Sequence, residues 1–154
     1  MIELRKPAFS DLSFRRSLLA DEKTMAYNHA YGGTIDFPPD RWEDWYEKWC
    51  LDPSGDRFYR YLFDTESGAF VGEAAYHKTD SGVFLCDVVV HSAFRGQGFG
   101  KAGLAALLAA AKENGLSSLS DEIAADNPSL GLFLAMGFSV TKKTAEKTVV
   151  TKLL

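Results

Sequence analysis

The sequence predicts a mixed-sheet α/β (α+β) domain in which an antiparallel meander is followed by a parallel β-α-β crossover. Strand-like runs at 58–63, 69–77 and 83–91 are joined by the turn sequences DTESG and KTDSG, which is typical of a meander. An alanine- and leucine-rich helix over 98–114 then lies between two strands, and such a connection makes those strands parallel. The predicted order is strand, helix, helix, three strands, helix, strand, helix and two strands.

Length and composition predict one domain over residues 1–154 and exclude several classes of protein. The chain is 46% hydrophobic and 25% charged, as expected for one globular domain of this length. Because 17 basic residues stand against 21 acidic ones, we expect no nucleic-acid or membrane partner held through phosphates. No apolar run is long enough to cross a membrane, and the N-terminus lacks the apolar run of a signal peptide, so we expect a cytoplasmic protein.

The two cysteines, Cys50 and Cys86, lack the CxxC spacing and the companion residues of a zinc site or a disulfide framework. The chain has no HxxxH pair and no His/Cys cluster. We therefore expect two reduced cysteines and no bound metal.

The first elements along the chain are a strand and a helix. Residues 2–6 alternate as a strand does. Ser10 is a plausible N-cap for a helix that begins at Asp11 and carries apolar residues at helical spacing. The next stretch, 27–37, has two glycines, three aromatic residues and no periodicity, which predicts a loop.

A second helix is predicted to begin near Pro39, because proline suits the first turn of a helix. It carries aromatic residues at i, i+3, i+4 and i+7, namely Trp42, Trp45, Tyr46 and Trp49. That spacing favours a stripe packed against the core over a platform for a carbohydrate or a cofactor.

The second half of the chain completes the sheet. Gly115 ends the crossover helix, and a strand is predicted over 117–123. Asn127 followed by Pro128 is typical of a helix start, and Gly137 closes this helix. Two further strands are predicted over 138–143 and 148–153.

The most informative segment is VVVHSAFRGQGFGKAGL, residues 88–104, in which a strand runs into a glycine-rich turn and the turn into a helix. Glycines allow positive φ and a close approach of the backbone to a ligand, and a helix start offers free N–H groups to an anion. Arg95 and Lys101 add mobile positive charge. The segment predicts a pyrophosphate site, and the alternative is a purely structural turn. The glycines concerned are Gly96, Gly98 and Gly100.

Two other phosphate motifs fit less well. A Walker A loop fails because Arg95 and Ala102 stand where that motif needs glycine and Ser or Thr. A dinucleotide fingerprint matches literally at Gly98, Gly100 and Gly103. However, its first glycine lies too far from the strand, and three antiparallel strands precede it. A dinucleotide-binding protein is therefore the less favoured alternative.

The segment Arg95-Gly96-Gln97-Gly98-Phe99-Gly100 resembles the Gln/Arg-x-x-Gly-x-Gly/Ala signature of the GNAT N-acetyltransferase superfamily. The later segment DNPSLGLFLAMGF, residues 126–138, resembles the second conserved region of that family. The predicted order of elements also matches over essentially the whole chain. The resemblance implies a GNAT-like fold and direct transfer of an acetyl group from acetyl-CoA to a primary amine.

The resemblance also implies which residues bind the donor. The N–H groups of residues 96–101 would hold the pyrophosphate, and the strand edge at 88–90 would pair with the pantetheine. The N–H near Val90 would polarise the thioester carbonyl. Asn127 would contact the pantetheine arm, although its role as a helix cap needs no ligand. The implied donor-binding residues are Val88, Val89, Val90, Arg95, Gly96, Gln97, Gly98, Phe99, Gly100, Lys101, Asn127 and Phe133.

Phe133 is a departure from the family pattern. It stands where the family often has a tyrosine that protonates the departing thiolate. Tyr31, Tyr76 and Ser129 are possible substitutes. The departure supports an alternative function, a CoA-binding module that has lost catalysis.

Transfer to an amine requires a neutral nucleophile and therefore a general base, direct or through water. Glu73 and Asp87 are the candidates. Asp87 lies in a mostly apolar strand, where an unpaired carboxylate is costly. Glu73 lies between the small residues Gly72 and Ala74, which leave room for a substrate. If His77 pairs with Val83, Glu73 lies directly opposite Asp87, and two adjacent carboxylates raise the pKa of one of them. The alternative is that both point to solvent or to basic partners.

The loop over 27–37 is the candidate acceptor site, because the corresponding loop commonly lines the acceptor pocket in the GNAT family. Tyr27, Tyr31 and Asp36 would suit a cationic or aromatic amine, or the loop aromatics simply cover the core. The acceptor is expected to be a small-molecule or peptide amine. A homodimer is possible, as dimers are common in such families.

Overall fold

The computed structural model describes residues 1–154 and contains one seven-stranded sheet of order β1-β2-β3-β4-β5-β7-β6. All neighbouring strands are antiparallel except β4 and β5, which are parallel. The predicted mixed-sheet fold is confirmed. The strands are β1 (Ile2–Arg5), β2 (Arg57–Asp64), β3 (Ala69–Lys78), β4 (Phe84–Val90), β5 (Ser118–Ala124), β6 (Ser139–Lys143) and β7 (Lys147–Leu153). The helices are α1 (Leu12–Ala20), α2 (Trp42–Tyr46), α3 (Phe99–Glu113) and α4 (Leu130–Ala135).

The sheet opens between β4 and β5. These two strands share a single register pair, Leu85 with Ser120. By contrast, β4 pairs with β3 along its whole length, and β5 pairs with β7 along its whole length. The edge of β4 beyond Leu85 therefore has no neighbouring strand, and a cleft lies there.

The two faces of the sheet pack against different helices. One face packs against α3 in the main core, where Leu62, Ala74 and Cys86 meet Leu104. The approach is close enough that a Cβ at Gly103 would lie 2.8 Å from Leu62 Cδ1, so glycine is required there. The opposite face lies under α1 and α2, where Leu12 and Leu19 of α1 form a second cluster with Met25 and Phe37 from the connection between the two helices. None of the helices is long and apolar enough to span a bilayer, and both cysteines are free.

Two helix boundaries differ from the prediction. Ser10 does not cap α1, because a 3₁₀ turn over Phe9–Asp11 precedes that helix. The Asp11 carboxylate accepts a hydrogen bond from the Ala8 N–H at 3.3 Å and so holds the turn.

The predicted second helix is divided into a 3₁₀ turn at Pro39–Arg41, the short α2 and a π turn at Glu47–Leu51. Side-chain hydrogen bonds to backbone carbonyls outside this segment hold both ends of α2 in place. Trp42 Nε1 donates to the Phe37 carbonyl at 3.0 Å, and the Tyr46 hydroxyl donates to the Pro7 carbonyl at 2.7 Å.

Candidate active site

The start of α3 presents a row of free donors. The backbone N–H groups of residues 96–101 have no hydrogen-bond acceptor within the chain, and the first bond of the helix runs from Ala102 N to Gly98 O at 3.1 Å. Gly96 and Gly98 have φ of 79° and 82°, as predicted, and this left-handed backbone turns successive N–H groups to one side. The positive end of the helix dipole lies at the same place, so the turn is built to bind an anion.

Two residues of this turn differ from expectation. Gly100 does not adopt positive φ, since it lies inside α3; a Cβ there would lie 3.9 Å from Val90 Cγ2. Arg95 is not mobile, because its Nη2 donates to the Thr24 carbonyl at 3.1 Å. Lys101 is exposed and has no ion pair, so it is the cation beside the turn that remains free for an anion.

The β4 edge leads from this turn into the cleft. Val88, Val89 and Val90 follow the point where β5 diverges, and Val90 lies beside the start of α3. On the α4 side, Asn127 is not the N-cap as predicted, because α4 begins at Leu130 after Ser129; Asn127 Oδ1 instead accepts from the Ser129 N–H at 3.0 Å in the turn before the helix.

Phe133 lies in the main core. Its side chain is 5% exposed, and its ring packs edge-on against Phe138 with centroids 5.0 Å apart. It has no group that donates a proton. Of the residues considered as substitutes, Tyr76 is also buried in the core, where its hydroxyl accepts from Asn114 Nδ2.

A cavity of about 190 Å³ lies on the other face of the sheet, between β2, β3 and β4 below and α1 with the π turn above. Its aromatic walls are Trp45, Trp49 and Tyr59. Its polar groups are Arg15, Glu73, His77 and Asp87.

The hairpin register differs from the prediction by two residues. His77 pairs with Leu85 rather than Val83, so Ala75 lies opposite Asp87 and Glu73 is its diagonal neighbour. The turn has the predicted length but lies one residue later, at 79–83, because Thr79 donates from both its N–H and its hydroxyl to the Val83 carbonyl. A shift of two residues preserves the face of the sheet, so both carboxylates still point into the cavity.

The two carboxylates have different surroundings. Glu73 is 6% exposed, accepts a hydrogen bond from the Tyr59 hydroxyl and lies 3.7 Å from Arg15 Nε. Asp87 keeps an exposed surface and has no side-chain hydrogen bond. Protein atoms surround its other sides, and this burial raises the pKa of Asp87 to about 6, with the Glu73 carboxylate adding to the rise.

Several site residues were missed by sequence reasoning. Asp121 is not among the predicted site residues, but it lies on β5 across the cleft, where burial and then the Asp87 charge raise the pKa of its carboxyl. Arg15 and Tyr59 had no recognisable motif. Trp45 and Trp49 belong to the predicted aromatic stripe, yet they are half-buried and line the cavity. Their spacing alone does not distinguish a cavity wall from a core.

The predicted acceptor loop does not form the wall of this cavity. Tyr27, Tyr31 and Asp36 are absent from its lining, and Tyr31 is 75% exposed. The loop instead reaches the β5–α4 connection, where His29 Nε2 lies 2.9 Å from Asp126 Oδ2. No group of three or more His, Cys, Asp or Glu side chains is arranged to hold a metal ion.

Comparison with known proteins identifies the family. The model of the Acetyltransferase (GNAT) family matches residues 17–138, so the chain belongs to this family. GNAT enzymes use acetyl-CoA as co-substrate. No curated protein sequence matches the chain significantly.

Solved structures with the same fold include proteins of different acceptor specificity. A spermidine N-acetyltransferase from Vibrio cholerae, in complex with CoA and spermine, has a TM-score of 0.81 at 16% identity and covers 99% of this chain and 95% of its own. A phosphinothricin acetyltransferase from Sinorhizobium meliloti, in complex with acetyl-CoA, has a TM-score of 0.79 at 16% sequence identity. The match covers 99% of this chain and 88% of that protein. A ribosomal-protein-alanine N-acetyltransferase from Brucella melitensis has a TM-score of 0.77 at 22% sequence identity, and the match covers 99% of both chains.

Proposed function

We propose that this chain transfers the acetyl group of acetyl-CoA to a primary amine by direct attack, with Asp87 as the general base. One observation carries the proposal. Asp87 lines the acceptor cavity and also lies on β4 beyond Leu85, where the sheet opens. It is thus the carboxylate shared by the cavity and the cleft.

The donor side of the proposal rests on the backbone. The free N–H groups of residues 96–101 fit a pyrophosphate, and Lys101 adds positive charge. The free edge at Val88 and Val89 fits the amides of pantetheine, and the N–H near Val90 would polarise the thioester carbonyl. Bound acetyl-CoA supplies an activated acetyl group at this point.

The acceptor side needs a base because a lysine-like amine of pKa about 10.4 is neutral in only roughly one molecule in 2,500 at pH 7. Asp87, with a pKa of about 6, is mostly ionised at pH 7 and still basic enough to take a proton. Glu73 already accepts the Tyr59 hydroxyl bond and is nearly inaccessible. It therefore serves to raise the basicity of Asp87 through its charge.

No acid is needed for the leaving group. A thiol of pKa about 8.5 departs as thiolate at pH 7 with a penalty of only about 2 kcal/mol. Phe133, buried in the core, is therefore compatible with turnover. It is also the observation that favours the second candidate, a CoA-binding module without catalysis.

Thermal unfolding with acetyl-CoA, CoA and NAD added separately tests the donor site. A ligand at about 1,000 times its Kd stabilises the folded state by roughly 4 kcal/mol. We expect a shift with both CoA species and none with NAD. A shift without release of CoA in the presence of any amine would favour the inactive module, and no shift with CoA species would end the proposal.

A further inference from the structure

We infer that the acceptor carries an anionic group, such as a carboxylate, in addition to its amine, and that Arg15 binds that group. The inference rests on the proposed function and names the class of acceptor, a small zwitterionic amine of amino-acid type. The observation that carries it is a buried guanidinium in the cavity wall that donates no hydrogen bond.

Arg15 extends from α1 into the cavity with only 16% of its side chain exposed. Its Nε is completely buried and has no hydrogen-bond partner. None of its other guanidinium nitrogens donates a hydrogen bond within the chain either. Nη1 and Nη2 keep accessible surface, unlike the buried Nε. Since these N–H groups have no acceptor within the chain, an acceptor group from a ligand fits here.

Glu73 does not satisfy Arg15. The distance from Arg15 Nε to Glu73 Oε2 is 3.7 Å, which is an ion pair without a hydrogen bond. The same oxygen already accepts from the Tyr59 hydroxyl. Glu73 therefore balances the charge of Arg15 but leaves its donors free for a planar anion, which a guanidinium binds through two parallel hydrogen bonds.

The position of Arg15 also disfavours an acceptor with two positive charges. Its guanidinium carbon lies over the rings of Trp45 and Phe37, 4.4 and 4.7 Å from their centroids. These are the ring faces on which a second ammonium group would bind. A second cation at this place would meet the positive charge of Arg15, whereas a carboxylate would be attracted to it.

The Asp87 carboxylate is placed for the amine. Asp87 lines the same cavity as Arg15 and has no basic side-chain partner at salt-bridge distance. One wall therefore offers a cation and the other a carboxylate. The cavity volume of about 190 Å³ lies below the range of roughly 300–1,000 Å³ usual for drug-sized ligands, so it suits a small molecule.

Matched acceptors test the inference. We would measure CoA release and detect the acetylated product by mass spectrometry. The acceptors would be the common L-α-amino acids, each compared with its α-amide and its decarboxylated amine. Spermidine would serve as a polycationic probe. We expect at least one amino acid to exceed its own amide in kcat/KM by roughly 10- to 100-fold, the range for hydrogen bonds to charged groups. In Arg15→Gln we expect this ratio to fall toward one, because KM for the amino acid rises.

Two further variants guard against misfolding and general charge effects. Arg15→Lys keeps the charge beside Glu73 but lacks the planar fork, so it should fold and still lose most of the preference. Arg16→Gln removes the same charge from the exposed side of the same helix and should leave the ratio unchanged. The acetyl-CoA-induced shift in unfolding temperature verifies the donor site of each variant.

The outcomes separate this inference from the proposed function. The inference would be overturned, while acetyl transfer stands, if an amide, a decarboxylated amine or spermidine were acetylated with the same kcat/KM as the amino acids. An unchanged ratio in Arg15→Gln would overturn it equally. Acetyl-CoA binding without acetylation of any amino acid would also overturn it, and loss of acetyl-CoA binding by the unmodified chain would refute the proposed function itself.

Discussion

The proposed donor and acceptor sides of the site are made of different parts of the chain. The donor side is made of backbone, namely the free N–H groups of residues 96–101 and the unpaired edge of β4. The acceptor side is made of side chains from α1, the π turn and three strands, with Arg15, Glu73 and Asp87 as its charged members. The two sides meet at Asp87.

This difference explains why the two sides tolerate change differently. A backbone site depends on conformation, so glycines with positive φ are its vulnerable points. A side-chain cavity depends on charge balance, so its vulnerable points are buried groups such as Glu73 and its partner Tyr59. Substitutions that separate conformation from charge should therefore affect one side and spare the other.

The largest effect is expected where the two sides meet. Asp87→Asn should lower kcat/KM by roughly 10²- to 10⁴-fold, because the general base is lost. In the unmodified chain kcat/KM should fall below pH 6, since a carboxyl whose pKa is raised to about 6 becomes protonated there and no longer accepts a proton. Asp87→Asn should abolish this acidic limb and leave acetyl-CoA binding intact. A limb that persists in Asp87→Asn would assign it to another group.

The second effect tests the charge balance of the acceptor side. Tyr59→Phe removes the hydrogen bond to the buried Glu73 carboxylate and should lower the free energy of unfolding by about 1.5–3 kcal/mol, measured by denaturant unfolding. Tyr46→Phe is the matched control, because that hydroxyl donates to a neutral backbone carbonyl, and it should cost about 0.5–1.5 kcal/mol. Equal losses would show that the charge of Glu73 is unimportant to the bond.

The third effect tests the backbone of the donor side. Gly98→Ala forces a Cβ into left-handed backbone with φ of 82° and should cost about 1–2 kcal/mol. Gly82→Ala imposes the same strain, at φ of 85°, in the β3–β4 turn. Both should lower the unfolding temperature similarly, but only Gly98→Ala should weaken acetyl-CoA binding in a titration. Equal weakening would mean that the turn has no special part in the site.

The smallest effect distinguishes the two carboxylates near Asp87. Glu73→Gln should move the acidic limb of kcat/KM to lower pH, because the Glu73 charge contributes to the raised pKa of Asp87. Asp121→Asn should leave the limb in place, since the raised pKa of Asp87 comes from burial and the Glu73 charge. The measurement is a pH–rate profile for each variant. A limb that moves only in Asp121→Asn would reverse the two roles.

Much of the fold and the donor site was predictable from the sequence because the signals are local. The turn sequences before β3 and β4 and the glycines around α3 act through the conformation of a few neighbouring residues. The predicted strands and α3 therefore agree with the structure to within one or two residues. The positive φ of Gly96 and Gly98 follows from the same local requirement.

The acceptor side was not predictable because its parts are distant in sequence. Arg15, Trp45 and Glu73 come from three separate elements, and no spacing between them indicates that they meet. The relation of Glu73 to Asp87 depended on the position of the β3–β4 turn, which two hydrogen bonds from Thr79 to the Val83 carbonyl fix. The sequence by itself thus determined the family, the order of the elements and the glycine-rich turn proposed to bind the donor. Only the tertiary structure decided which charges face one another, because that depends on packing and register across the sheet.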